Sequence, residues 1–595
     1  MNVRKAGPRR LTPGVRNPTL WTVFRNFVRP LRLLALTMLA AAGLCLPAAA
    51  HAARPNVVAI MTDDQTVESL RVMPKVKRLL IDEGTIFDRS YVSFPVCCPS
   101  RATFLTGQFP HNNAVEGLDP PWGGYVALDT SSYLPVWLRR VGYNTIHLGK
   151  FLNGYGTQNL DQTEVPRGWT EWQGSVDPST YSFYGYTLNE NGVLRTYGED
   201  ENPDFYQTDF YGRRASNLID QYAGRKPFFL SVNFVAPHHG GGVQEEEVDS
   251  TLKLPVVAPR HAGRFAGEPL PYDASYNEAD VSDKPSIISR RPTFTPETET
   301  DIRRAYQRRL GSLLAIDDAV ERIVTTLERT GELENTLIIF TSDNGFFHGE
   351  HRMPFGKLLA YEPSIQVPLI MRGPGVPRGQ RRKQLVENVD VAPTILKAAK
   401  ARGDLELPMD GRPLFPLLRD RGLEWGRDLL IAARGGPTRY WGLRTYRYLY
   451  VQYATGELEL YDLERDPYQL QNVVFHPRYA RIARVLSGRL ARLRFCEGRS
   501  CSTTPRIGLR VQAKGARRCV GRSVRTRLRG RDAQFVKAAQ YQVGRRRVAR
   551  AQSRRLARRV PVRRVRPGKR FRLRTRVSLT DGRIVTLDRK LRVCP

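Results

Sequence analysis

The residues best equipped for chemistry gather first at Cys97-Cys98-Pro99-Ser100-Arg101-Ala102-Thr103-Phe104-Leu105-Thr106-Gly107. Pro99 suits the first turn of a helix, where its fixed φ and missing N–H cost nothing, and Gly107 suits the stop. A helix start aims unpaired N–H groups and partial positive charge at an anion. Arg101 adds a planar, permanently charged fork that matches an oxyanion. Cys97 then stands beside an anion cradle. Three other readings of the cysteines stay open here. They are buried apolar residues, half of a zinc site that lacks a second pair at finger spacing, or a plain thiol nucleophile. Four further residues, Asp63, Asp64, Asp343 and Asn344, offer oxygen donors with no thiolate or histidine convincingly beside them. That donor set favours Ca²⁺ or Mg²⁺ over zinc.

The elements that must position these groups are legible as strands. Val57 to Met61 is a continuous apolar run ending in Thr62-Asp63-Asp64, and residues 142–150 read as a second strand, ending on Lys150. Residues 227–235 are a third, ending in Ala236-Pro237-His238-His239, and residues 336–342 a fourth, ending in Asp343-Asn344-Gly345. Runs apolar on both faces are buried parallel strands, and a doubly wound sheet delivers all such ends to one crevice. Each ending alone has an ordinary turn or loop as its alternative; the repetition is the argument. Helical spacing runs from Met73 to Ile81, and again from Asp301 through Leu310, Leu313, Leu314, Ala319, Ile323 and Leu327 to a stop at Gly331.

With these residues in place the chain resembles the type I, formylglycine-dependent sulfatases, over roughly residues 54–490. The resemblance implies an alkaline-phosphatase-like α/β fold with a small antiparallel α+β C-terminal subdomain. It implies that Cys97 is oxidised to formylglycine by a maturation enzyme and completes a metal shell with Asp63, Asp64, Asp343 and Asn344. It also implies that Arg101, Lys150 in the Gly-Lys element, His238 in the Pro-His element and Lys357 in Gly349-Glu350-His351-Arg352-Met353-Pro354-Phe355-Gly356-Lys357 hold or protonate the sulfate ester. One departure stands out: many arylsulfatases carry histidine two residues after the Gly-Lys lysine, where this chain has Leu152. The Lys150-Phe151-Leu152-Asn153 variant, with Pro110-His111-Asn112 and Tyr461-Asp462-Leu463-Glu464-Arg465-Asp466-Pro467, looks most like the N-acetylglucosamine-6-sulfatase branch.

Length and charge set the frame. The 595 residues exceed one ordinary core, and the formal charge of +35 is confined to the ends. Residues 501–595 carry +28 and residues 1–53 carry +8, so the body between them is balanced at −1. The first 52 residues read as an export signal. Arg25, Arg29 and Arg32 precede the apolar run Leu33 to Leu46, and small-residue cleavage sites follow around Ala48 to Ala52. Four cysteines, Cys496, Cys501, Cys519 and Cys594, remain for an exported C-terminal part. Of their three pairings the favoured one is Cys496–Cys501 with Cys519–Cys594, the second tying the ends of a terminal domain together.

Residues 54–425 are then expected as the catalytic domain, 426–495 as the C-terminal subdomain and 501–595 as a basic accessory domain. In the subdomain, residues 446–453 alternate, turn at Thr455-Gly456 and return, with a helix from Tyr479 to Leu493. In the accessory domain, residues 517–529 and 570–579 alternate apolar with polar, and Thr580-Asp581-Gly582 marks a hairpin turn. That pattern argues a small arginine-rich β-sandwich. Its arginines serve either as a solvated coat or as a contact with an acidic cell wall or polysaccharide.

The expectation is therefore a secreted, cell-surface or periplasmic hydrolase of sulfate esters on sulfated carbohydrates. It uses Ca²⁺, with Mg²⁺ as the other candidate, and a formylglycine hydrate as nucleophile. No nucleic acid is expected as partner, and no membrane span after signal removal. The rivals are a phosphomonoesterase or phosphodiesterase of the same superfamily, which would want serine or threonine at position 97, and a catalytically silent polyanion-binding protein.

Overall fold

The computed structural model describes residues 54–159, 161–241, 254–403, 407–423, 425–435, 438–501, 507–512, 519–544, 546–552, 557–579 and 583–595. The signal-like segment and the Thr580-Asp581-Gly582 turn lie outside the described residues.

A ten-stranded mixed sheet organises the molecule. In chain order its strands are β1 (Asn56–Thr62), β2 (Thr85–Phe87), β3 (Asn144–Gly149), β4 (Glu171–Ser175), β5 (Tyr186–Glu190), β6 (Val193–Tyr197), β7 (Phe228–Asn233), β8 (Thr336–Ser342), β9 (Leu369–Arg372) and β10 (Gln380–Arg382). Their spatial order is β10-β2-β9-β8-β1-β7-β3-β4-β5-β6. The central five, β8 to β4, run parallel. β9 joins β8 antiparallel, and β5 and β6 form an antiparallel edge. The four longest helices of the described residues are α1 (Cys97–Thr106), α2 (Gln207–Tyr222), α3 (Pro296–Arg329) and α4 (Ala480–Leu493).

Strand alternation divides the core. Val58, Ile60, Ile338, Phe340, Leu230 and Val232 point to one face, into a cluster with Ile219 of α2 and Leu310, Ile316 and Ile323 of α3. Val57, Ala59, Met61, Leu337 and Ile339 point to the other, against Ala102 and Leu105 of α1 and Ile395. Helices on both faces explain why the central strands read as unbroken apolar runs rather than alternating ones. The doubly wound fold expected from the sequence is the fold observed.

Two expected helices differ in detail. α3 begins at Pro296, ahead of Asp301, because Thr295 caps it by accepting from the Thr298 N–H at 3.2 Å and Pro296 fills the first position. This first turn packs no apolar side chain, so periodicity cannot reveal it. Residues 74–81 form a short α-turn and then a π-type turn instead of one regular helix. Asp317 holds the start of the first turn by accepting from the Lys75 and Val76 N–H groups at 3.0 and 2.8 Å.

A second sheet is purely antiparallel: β11 (Leu429–Ala433), β12 (Tyr440–Arg444), β13 (Tyr448–Tyr453) and β14 (Leu458–Asp462). Leu486, Leu490 and Leu493 of α4 pack on it. After Cys501 come β15 (Gly508–Gln512), β16 (Ser523–Arg529), β17 (Val536–Val543), β18 (Arg546–Gln552), β19 (Ala557–Pro561), β20 (Arg570–Leu579) and β21 (Ile584–Arg592). They form a three-stranded sheet, β15-β16-β19, and a four-stranded sheet, β18-β17-β20-β21. Leu509, Leu528 and Val560 of the first share one core with Tyr541, Leu573 and Val577 of the second. The cysteines pair as Cys496–Cys501 and Cys519–Cys594.

Candidate active site

The four polar strand ends meet at the C-terminal edge of the parallel strands. Asp63 and Asp64 follow β1, Lys150 follows β3, His238 lies beyond β7, and Asp343 and Asn344 follow β8. Neighbouring parallel strands in register bring their ends together, and the Asp64 N–H donates to Asp343 Oδ1 at 3.2 Å. Asp64 takes a left-handed backbone, φ 65°, a strained state for a residue other than glycine that is kept where surroundings impose it.

Val96 is extended and α1 starts at Cys97, with every residue of the helix buried. Cys97 Sγ donates to Asp63 Oδ1 at 3.3 Å and accepts from Lys357 Nζ at 2.9 Å. Burial first, and Asp63 second, push its thiol up to about 12. That environment disfavours the thiolate which a plain cysteine nucleophile needs. Cys98 is fully buried in the apolar layer and likewise pushed up to about 12 by burial. The two cysteines are not bridged.

Three cations surround the carboxylates. One turn into α1, Arg101 donates through Nε to Asp343 Oδ2 at 2.7 Å and through Nη1 to the Lys150 carbonyl at 3.0 Å, and its Nη2 reaches Asp63 Oδ2 at 3.4 Å. Lys150 pairs with Asp63, and Lys357 with Asp64. Burial would raise Asp63, but Lys150, His238, Arg101 and Lys357 together hold it well below the usual range. Asp64 is lowered too, with Lys357 chief among the groups that outweigh burial. Asp343 goes the other way, raised by burial and by Asp63 against the pull of Arg101. Arg101 and Lys150 are 3% and 2% exposed, whereas Lys357 is 17% and His238 10% exposed. The mouth of the site is therefore on the Lys357 and His238 side.

His238 donates its Nδ1–H to the His239 carbonyl at 2.9 Å, which fixes the tautomer and leaves Nε2 as an acceptor, 3.8 Å from Asp64 Oδ2. Burial lowers its pKa to about 3 in spite of Asp64 and Asp63, so the ring is neutral at ordinary pH. As the acid for a leaving group it has to take up a proton before delivering one.

The ligand atoms of Asp63, Asp64, Cys97 and His238 lie within 4.8 Å of one another. Asp343 and Asn344 stand beside this group rather than in it. Asp343 is engaged by Arg101 and the Asp64 N–H, and Asn344 donates Nδ2 to Asp64 Oδ1 at 2.5 Å and to the Gly345 carbonyl at 2.9 Å. Asn344 Oδ1 is buried without a partner among the described residues. Turning the amide would exchange Nδ2 for this oxygen opposite Asp64, an exchange that a cation between them would favour. Three buried carboxylates and an orphaned amide oxygen fit a hard divalent cation.

Two residues at the site carry little or no signal in the sequence. Tyr181 lies between Lys150 and His238: the lysine Nζ is 4.6 Å from its ring centre and the imidazole 4.8 Å away. Its hydroxyl accepts from Asn153 Nδ2 at 2.7 Å. It ends a three-residue 3₁₀ turn, Ser179–Tyr181, too short to leave a pattern in the sequence. Arg309 of α3 donates to the Asp64 carbonyl at 2.6 Å and stacks on Phe346 at 3.8 Å. A charged residue in the apolar stripe between Tyr306 and Leu310 was the available clue. Leu152, at the position where many arylsulfatases have histidine, is buried in the apolar layer.

Known proteins resemble this chain in sequence and in fold. Residues 55–401 match the family model described as Sulfatase, and residues 349–495 match N-sulphoglucosamine sulphohydrolase, C-terminal. The chain is 33% identical to an arylsulfatase of Volvox carteri, covering 78% of each protein. It is 33% identical to N-acetylglucosamine-6-sulfatase of Homo sapiens, over 76% of this chain and 87% of that one. In structure it resembles a protein solved in complex with its substrate D-glucosamine-2-N,6-O-disulfate. The TM-score is 0.60 at 24% identity, covering 74% of this chain and 97% of the other. The chain thus belongs to the sulfatase family and is a sulfuric ester hydrolase.

Proposed function

We propose that the protein is an exported, divalent-cation-dependent sulfatase acting on sulfated sugars, with Cys97 converted to formylglycine. The observation that carries this reading is a buried Cys97 at the start of α1, its Sγ between Asp63 and Lys357. Membership of the family implies both the modification and the cation. Asp63, Asp64, the modified residue 97, Asp343 and Asn344 would hold Ca²⁺ or Mg²⁺, which supplies Lewis-acid stabilisation of charge at the reacting oxygens. One hydroxyl of the hydrated aldehyde would attack sulfur as the bond to the sugar oxygen breaks, and the second would lose its proton as the aldehyde carbonyl re-forms and the carbon–oxygen bond to sulfate breaks.

The chain's own side chains do the rest. Arg101 and Lys150 are anchored on Asp343 and Asp63 and so keep their charge with little freedom to move. Lys357, nearer the mouth, meets the sulfonyl oxygens as charge builds on them. His238 offers a neutral Nε2 that receives a proton and returns it to the ester oxygen as the sugar departs. Tyr181, packed between Lys150 and His238, bounds the space where that sugar oxygen would lie.

Export is supported by the basic and apolar pattern of the first 52 residues and by two disulfides, which persist in oxidising compartments. No helix of the described residues is long and apolar enough to cross a membrane. The proposal includes a formylglycine-generating maturation enzyme as an earlier partner, and a polyanion, either acidic cell wall or polysaccharide, as a contact for the basic C-terminal part. The test is sulfate release from a panel of sulfated monosaccharides beside a matched phosphate monoester. The expected result is preference for a sulfated sugar, loss on chelation and recovery with Ca²⁺ or Mg²⁺. Preference for the phosphate ester, or full turnover in chelator, would overturn the proposal.

A further inference from the structure

The C-terminal sandwich bears a constellation that the chemistry above does not use. β16 is the middle strand of its sheet and alternates strictly, with Val524, Thr526 and Leu528 buried and Arg525, Arg527 and Arg529 exposed. The register sets Arg510 of β15 opposite Arg527, and Arg559 of β19 opposite Arg525. Arg510, Arg525, Arg527, Arg529, Arg558 and Arg559 line a groove of about 580 Å³, whose remaining lining of Gln512, Thr526 and Ala557 contains no carboxylate. Among the described residues none of the six takes part in an ion pair. Arginines elsewhere in the sandwich do: Arg574 meets Asp588 at 3.1 Å and Arg583 meets Asp532 at 3.2 Å.

A solvated coat does not require this arrangement. Like charges directly opposite across a sheet destabilise it, and interleaved carboxylates would remove the cost. The apolar side of the same strands, Leu509, Leu528 and Val560, is fixed in the core, so the guanidinium groups stand on a rigid base. Strand geometry spaces them about 7 Å along β16 and about 5 Å across the sheet. That is a grid for a chain with anionic groups at the scale of one sugar residue. Each guanidinium presents a fork that pairs with two oxygens of a sulfate. Among the described residues the groove has no aromatic lining, and hence no platform on which bases could stack.

We propose that the arginine groove on the outer face of the β15-β16-β19 sheet binds a sulfated polysaccharide and holds the enzyme on the polymer whose sulfate esters it removes. The identity of the polymer rests on the proposed activity towards sulfated sugars. The groove as an anion site rests on the geometry alone. A second contact along one chain raises the effective concentration of its sulfate groups at the catalytic centre.

The test uses the full-length protein and its Arg525→Ser/Arg527→Ser/Arg559→Ser variant. Binding is measured across a salt series to heparin chains of defined length, to the same chains desulfated, and to duplex DNA of similar length. The triple variant should bind heparin at least about tenfold more weakly, with a salt slope shallower by about 2–3. Turnover of a small aryl sulfate should not change, and desulfated chains should bind both proteins weakly. Unchanged affinity and slope, or equal binding of desulfated chains, would overturn the proposal. So would DNA binding tighter than heparin binding and lost in the variant, which would make the groove a nucleic-acid surface. Wild-type protein that holds heparin through the groove yet releases no sulfate from sulfated sugars would keep the groove and remove the proposed substrate. If the triple variant melts early, Arg510→Ser/Arg559→Ser on the flanking strands carries the same test.

Discussion

Asp63 accepts from a lysine and an arginine and also faces Cys97, a crowding tolerable only because positive and negative groups alternate through the site. Removing either sign has different consequences at different depths. Arg101→Ala leaves Asp343 and Asp63 buried and under-compensated, so a stability loss of about 3–5 kcal/mol is expected along with lost activity. Lys357→Ala also takes a counter-charge from buried Asp64, but at the partly open mouth where water reaches the gap, so thermal unfolding should shift less than for Arg101→Ala while kcat/KM falls by about 10²–10³-fold. Thermal melts and aryl sulfate kinetics on the two variants check this; equal destabilisation would contradict the difference in depth. At this scale the sequence was informative wherever a reactive residue ended a strand or opened a helix, as Asp63, Cys97, Lys150 and Asp343 do. It was silent on Tyr181, which reaches the site from a single 3₁₀ turn. It also could not give the tautomer of His238, which depends on the His239 carbonyl.

The elements were legible for a related reason. β1, β7 and β8 are largely apolar because helices cover both sides of the sheet, and that burial writes itself into the residue types. The start of α3 was not, since its first turn is held by Thr295 and Pro296 through capping alone. Burial inside a strand also leaves a titration signature. His147 lies within β3, stacked at 4.5 Å on Trp172 of β4, with Nε2 toward the Gly149 carbonyl at 3.1 Å. Burial lowers its pKa to about 3. A depressed histidine binds its proton in the unfolded chain first, so its contribution is present above pH 6.5 and is lost as pH falls towards 3. Near pH 4.5 the loss is roughly 2–3 kcal/mol. His147→Phe keeps the ring stacking and should flatten the fall in unfolding free energy between pH 6.5 and 4, measured by denaturant titration. An unchanged pH slope would mean that another group carries it.

On the scale of the whole molecule, the sandwich keeps its own core. Among the described residues its apolar clusters draw only on Ile507 and residues beyond, while Cys496 and Cys501 close the cluster under α4. Truncation after Cys501 should therefore leave turnover of a small aryl sulfate within about twofold of the full chain; a collapse of activity in that assay would show that the catalytic body depends on the sandwich. Charge bookkeeping along the sequence had located the basic segment but could not distinguish a coat from a groove, because that depends on the register between strands. The central claim rests on Cys97 itself. Peptide mass spectrometry of the purified, active full-length enzyme measures it directly. The account predicts a Cys97 peptide in which the thiomethyl group has become an aldehyde, and a Cys97→Ser variant that folds but is nearly inactive. An active enzyme whose Cys97 peptide is wholly unmodified cysteine would contradict it.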